Sequence, residues 1–151
     1  MLIEEEIISP VEELKRADHL LHVSLKYTRT CEVMINAMNR MMSAYIMAFE
    51  NYLEHARREK KIDEVPLSPI ERVKLIKELI DKPGLKYIRQ YNWLRNILKS
   101  EYEAVSEFRK GLTLITKTKN PIYVTPHLLI EQLKIAEEGV HFFKAPLSEQ
   151  Q

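Results

Sequence analysis

Residues 31–61, CEVMINAMNRMMSAYIMAFENYLEHARREKK, contain neither proline nor glycine. Met34, Met38, Met41, Tyr45, Ala48 and Tyr52 succeed one another at spacings of 4, 3, 4, 3 and 4, with Ile35, Met42, Ile46, Phe49, Leu53 and Ala56 alongside. That recurrence marks the buried face of an α-helix, and two adjacent stripes make the face wider than a coiled-coil seam requires. A helix of ~30 residues is ~45 Å long, whereas a domain of this size has a radius of gyration of only about 15 Å. The helix is therefore expected to project past one protomer or to be covered by a partner. Met34, Met38, Met41, Met42, Tyr45 and Phe49 become the expected seam of a homodimer. Adaptable packing by methionine within a single core is the alternative.

Helix beginnings on either side are well marked. Ser9-Pro10-Val11-Glu12 and Ser68-Pro69-Ile70-Glu71 use one signal twice: a serine to accept from an orphan N–H, a proline where no N–H is needed, and a glutamate able to reach back to the cap. Thr125-Pro126 repeats its first half. The first helix is expected over 10–26, ended by Tyr27-Thr28-Arg29-Thr30, with Thr30 capping the long one. A third helix is expected over 68–82, stopped by Pro83-Gly84, and a fourth over 85–108. Leu112 to Thr116 and Ile122 to Thr125, β-branched and aromatic, predict a two-stranded hairpin that must pack on helices to persist. A last helix spans 126–144, and 146–151 reads as a frayed tail. The fold class is all-α: a bundle of about five helices with one long central helix and a short β-hairpin before the last helix, forming a single domain over 1–151.

Composition narrows the function. Lys plus Arg is 23 against 22 for Asp plus Glu, which argues against a protein that coats nucleic acid. The three glycines, at 84, 111 and 139, cannot write a phosphate-cradling glycine loop. Cys31, alone, excludes an intramolecular disulfide and a Cys-rich zinc site. No apolar run approaches the ~20 residues that span a bilayer, and the glutamates at 4–6 stand where a signal peptide would be basic. A cytoplasmic protein without membrane association is expected. Glutamate outnumbers aspartate 19 to 3, a thermophile-like composition.

Candidate chemistry is sparse. Asp18, His19 and His22 could offer a carboxylate and two imidazoles to a metal from one helix face, with a solvated surface as the plain alternative. Glu138 and His141 form one Glu-x-x-His pair where a di-iron bundle needs two, so no cofactor is expected. Cys31 opens a helix but has no histidine near it in sequence. Arg109, Lys110, Lys117 and Lys119 with Tyr123 could hold phosphates and stack a base, or simply solvate a loop.

Ala17-Asp18-His19-Leu20-Leu21, and Ser106-Glu107-Phe108-Arg109-Lys110 before a hairpin and a final helix, resemble a group of uncharacterised archaeal helical proteins. That group is similar in layout to the HEPN (higher-eukaryote-and-prokaryote nucleotide-binding) bundles. The resemblance implies a dimer and either RNase activity or partnership with a minimal nucleotidyltransferase, as in toxin–antitoxin-like pairs. The HEPN RNase signature, an arginine followed after four to six residues by a histidine late in the bundle, is missing from the last helix, which has no arginine. Arg16 and His22 fit the spacing but lie in the first helix, with Asp18 between them. The expectation is thus a non-catalytic, homodimeric binding or regulatory module. An RNase using Arg16, His22 and Asp18, an RNA-binding component, and a small-molecule binder with a cavity between long helix and hairpin are the alternatives.

Overall fold

Two hydroxyl caps start the helices on which everything else packs. In the computed structural model, which describes residues 8–144, Ser9 Oγ accepts the Glu12 N–H at 3.1 Å and Thr30 Oγ1 accepts the Val33 N–H at 3.4 Å. Helix α1 (Pro10–His19) continues unbroken through a π-helical turn (Leu20–Ser24) into a last short helix, α2 (Leu25–Tyr27). The long helix α3 (Cys31–Arg58) follows, then α4 (Pro69–Leu79), a 3₁₀ turn (Lys82–Gly84) and α5 (Leu85–Leu98). Strands β1 (Tyr102–Val105), β2 (Thr113–Thr116) and β3 (Tyr123–Val124) form an antiparallel sheet in the order β1-β2-β3. Helix α6 (Pro126–Lys144) ends the described chain. The result is a helical bundle with a small sheet before its last helix. The tail expected at 146–151 lies outside the described residues.

Two expectations are corrected here. The fourth helix does not reach Phe108: it ends at Leu98, where the Ser100 hydroxyl donates to the Asn96 carbonyl at 2.6 Å. The next residues leave as β1, so the hairpin is part of a three-stranded sheet. Tyr102 and Val105 fit either period over so short a run, and pairing with β2 decides between them.

The second correction concerns the long helix, which is unbroken as expected but is not an open seam. Helices α1, α4, α5 and α6 of the same chain all pack against α3. Met34, Met38, Met41, Tyr45 and Phe49 are buried in one core, and Met42 is half-buried against it. The first five are therefore enclosed by their own chain, and Met42 in part. Each such side chain stabilises the fold by about 1.5–3 kcal/mol through burial alone. Toward the end of α3 the rings interlock edge to face, with Phe143 of α6 5.0 Å from Phe49 and 5.5 Å from Tyr52, and Phe49 5.1 Å from Tyr91 of α5. Leu112, Leu114 and Val124 close the same core from the sheet side. These side chains occupy the space between the long helix and the sheet in which the alternative of a small-molecule binder placed its cavity, and none of the described clefts is lined by both α3 and the sheet.

Candidate functional site: a basic groove beside the π-helical turn

The Leu25 N–H donates to the Leu20 carbonyl, the wide bond that defines the π turn. Turns of this kind are rare and frequent at functional sites. At Thr28 the backbone leaves the helix (φ −137°), carrying Arg29 outward before Thr30 caps α3. The Arg29 carbonyl accepts the Phe108 N–H at 2.7 Å. That bond fastens the 106–111 loop to the α2–α3 turn although nearly eighty residues separate them.

The loop is held in an uncommon shape. Ser106 and Phe108 have φ of 58° and 64°, left-handed values that cost non-glycine residues of order 1–3 kcal/mol. The Arg109 N–H donates to the Ser106 carbonyl at 3.1 Å, and the Leu112 N–H to the Arg109 carbonyl at 3.2 Å. Leu112 and Leu114 then plunge into the core. Phe108 is left 74% exposed, and Tyr27, on the other side of the same junction, 85% exposed.

Between these pieces lies a groove of about 490 Å³. Leu21, Leu25, Leu112 and Ile130 give it apolar walls, while Lys26, Arg29 and Lys110 bring three cations to it. His22 and His127 complete the rim, and no carboxylate lines the groove among the described residues. His22 Nδ1 lies 2.9 Å from Asp18 and His127 Nε2 3.1 Å from Glu131. In a chain of balanced charge, this local excess of positive charge above a greasy floor favours an anion with an apolar part.

The structure brings His22 and Lys110, expected to serve different chemistries, to one groove. Arg109 is adjacent to it in the loop. Lys117, Lys119 and Tyr123 sit at the far end of the hairpin and do not line it. Arg16 is elsewhere: its Nη1 lies 2.5 Å from the buried Glu13 carboxylate, which also takes Arg40 of α3 at 3.2 Å. Arg16 does not line the groove that His22 lines, so that groove does not bring together the pair named in the RNase alternative. Glu13 holds Arg16 against α3, whereas His22 turns toward α6. Asp18 pairs with His22, but His19 does not join them. Among the described residues no three His, Cys, Asp or Glu side chains gather as a metal site. Glu138 salt-bridges Lys86 of α5 at 3.5 Å.

No protein-family model, curated protein or solved structure matches this chain. The geometry stands alone as a guide to function.

Lys26, Tyr27, Arg29, Phe108 and His127 were not among the residues singled out by sequence. Tyr27 and Arg29 sat in a segment read only as a helix break, and Phe108 in one read as a helix end. Cys31 lies under the same loop, fully buried, its thiol 3.6 Å from the Thr113 carbonyl. Burial, reinforced by the Glu107 carboxylate, pushes that thiol up to about 11, so it is an inert core group and not a nucleophile.

Among the described residues no helix is long and apolar enough to cross a membrane.

Proposed function

We propose that this protein is a non-catalytic binding module that holds single-stranded RNA in the groove between the π-helical turn, the 106–111 loop and the start of α6. The observation that carries the reading is the convergence of Lys26, Arg29 and Lys110 on one groove without a lining carboxylate among the described residues; two exposed aromatics adjoin these cations along the chain, Tyr27 next to Lys26 and Phe108 bonded through its N–H to the Arg29 carbonyl. Cations track a phosphate backbone, and aromatic faces stack unpaired bases at about 1–3 kcal/mol each. The separation of Arg16 from His22 favours binding over cleavage. A HEPN-like relationship, with a nucleotidyltransferase as protein partner and a cytoplasmic setting, is compatible with this reading and forms part of the proposal. Self-pairing through the methionine face is not part of it.

The test is fluorescence anisotropy of a labelled single-stranded oligouridine against the full chain and a Lys26→Glu, Arg29→Glu, Lys110→Glu variant. The wild-type chain should bind with an affinity that falls with salt, at a logarithmic slope of about −2 for three phosphate contacts. The variant should bind at least about tenfold more weakly. Equal binding by both proteins, or no binding by the wild type at low salt, would overturn the reading.

A further inference from the structure

The sheet has one open side. Among the described residues β1 pairs only with β2, and Tyr102 lies opposite Thr116, Glu103 opposite Ile115, Ala104 opposite Leu114 and Val105 opposite Thr113. The Lys117 N–H donates to the Glu101 carbonyl at 2.8 Å, which sets the phase of the ladder. Residues 101, 103 and 105 turn their backbone groups toward β2, and the alternation of antiparallel pairs turns those of Tyr102 and Ala104 outward. Glu101, Tyr102, Glu103 and Ala104 are all exposed. Of the devices that blunt such an edge, β1 has neither proline, lysine nor a bulge, only its short length and the charges of Glu101 and Glu103.

The side chains say what fits. Glu101 and Glu103 point to one face of the sheet, and Tyr102 and Ala104 to the other, beside the buried Thr116 and Leu114 of β2 but themselves exposed at the edge. A second copy fits poorly. Only Tyr102 and Ala104 can bond outward, so antiparallel self-pairing sets Glu103 against its own copy or against Glu101, or else rests on the Ala104 pair alone, because the left-handed Ser106 ends the strand. Like charges directly opposite destabilise a strand pair. A strand with basic residues opposite the two glutamates, and apolar ones opposite Tyr102 and Ala104, satisfies both faces.

We infer that the outer edge of β1 is a docking site for an extended segment of a partner protein, in which lysine or arginine alternates with apolar residues. The segment adds to the sheet as a fourth strand, the main chain supplying affinity and the alternation supplying selectivity. The site is separate from the RNA groove, whose lining includes no β1 residue, and it stands or falls independently.

A fluorescein-labelled peptide of about six residues alternating lysine and valine, long enough for one strand, is the probe, titrated against the full chain by anisotropy. An otherwise identical peptide with its valine amides N-methylated, the amides that would face Tyr102 and Ala104, keeps the charge but cannot extend the sheet. Ala104→Pro removes an outward N–H while leaving the β1–β2 bonds in place, and Glu103→Lys reverses the charge. The alternating peptide should bind the wild-type chain, and either substitution or the N-methylation should weaken binding at least about tenfold. Failure of the peptide to bind would overturn the inference, as would equal binding of the N-methylated peptide. A wild-type dimer in sedimentation that Ala104→Pro dissolves would assign the edge to a second copy and overturn it too. Should Ala104→Pro not fold, Glu103→Lys and the methylated peptide decide the question.

Discussion

The Tyr45 hydroxyl donates to Gln90 Oε1 at 2.5 Å inside the core, joining α3 to α5. Gln90 Nε2 carries the link on to the Gln132 carbonyl of α6 at 2.7 Å. Burial, then the neighbouring Tyr87 and Glu138, push the Tyr45 hydroxyl far above the usual phenol range, so it stays a donor at every physiological pH. In Tyr45→Phe the Gln90 carbonyl oxygen is left buried without a donor, which costs about 1–3 kcal/mol. At ~2–4 °C per kcal/mol for a chain of this size, thermal unfolding followed by circular dichroism should show a midpoint lower by several degrees.

Gly139 faces that same tyrosine. A Cβ at this position would stand 2.5 Å from Tyr45 Oη and 2.9 Å from a Tyr87 ring carbon. Alanine is worth up to about 1 kcal/mol over glycine in a helix interior, but overpacking a tight core costs about 1–3 kcal/mol. The second effect wins here, since both rings are fixed by their own packing. Gly139→Ala is expected to destabilise, and a raised urea midpoint would contradict the close approach of α6 to α3.

Met38→Glu distinguishes a buried stripe from an interface. The side chain is fully buried within one chain, and a carboxylate there has no partner. The variant should lose far-UV helical signal or be recovered insoluble, at any protein concentration. A folded variant that merely sediments as a smaller species would instead mean that the stripe is a subunit contact.

Alkali should loosen the fold before it titrates the native state. Burial raises the Cys31 thiol from an ordinary value near 9 to about 11, and the Tyr52 hydroxyl from near 10 to about 12, aided by Glu107 and Asp81 respectively. Both groups are neutral when folded and ionise first in the unfolded chain. Their contribution to stability is whole below pH 9 and is lost as pH rises through about 11 and then 12. Urea midpoints should therefore fall above pH 9. Cys31→Ala should flatten the first part of that decline and leave the later part, and an unchanged slope would remove the thiol from the account.

The helix starts were legible because capping is a local matter. Ser9, Thr30 and Thr125 each accept a backbone N–H three residues on, as their positions imply, whereas Ser68, expected to do the same, stands at the N-cap of α4 without a side-chain bond. Glu12 departs from the expected reach back to the cap and pairs with Lys15. The buried stripe of α3 was legible too, since periodicity says that a face is covered. It does not say by what: α1, α5 and α6 of the same chain do the covering. β1 was missed because Leu98, Tyr102 and Val105 continue a helical spacing, with no glycine or proline to stop it. Only the pairing partner, Thr113 to Thr116 across the loop, reveals a strand.

The groove was legible in fragments. Arg109 and Lys110 stood out as a charge cluster, and His22 as a potential ligand. Lys26 and Arg29 gain meaning only when the Phe108 amide meets the Arg29 carbonyl, a contact that neither local sequence announces.

The π-helical turn at Leu20–Ser24 has a consequence for the history of this groove. A wide turn is what remains when one extra residue is accommodated in an existing helix without breaking it. Each residue advances an α-helix by about 100°, so excising a single position there would rewind the rod and swing His22, Lys26 and the Arg29 bend away from Lys110. The cationic convergence thus rests on a one-residue length difference, and a chain wound one residue shorter would keep the core while parting Lys26 and Arg29 from Lys110.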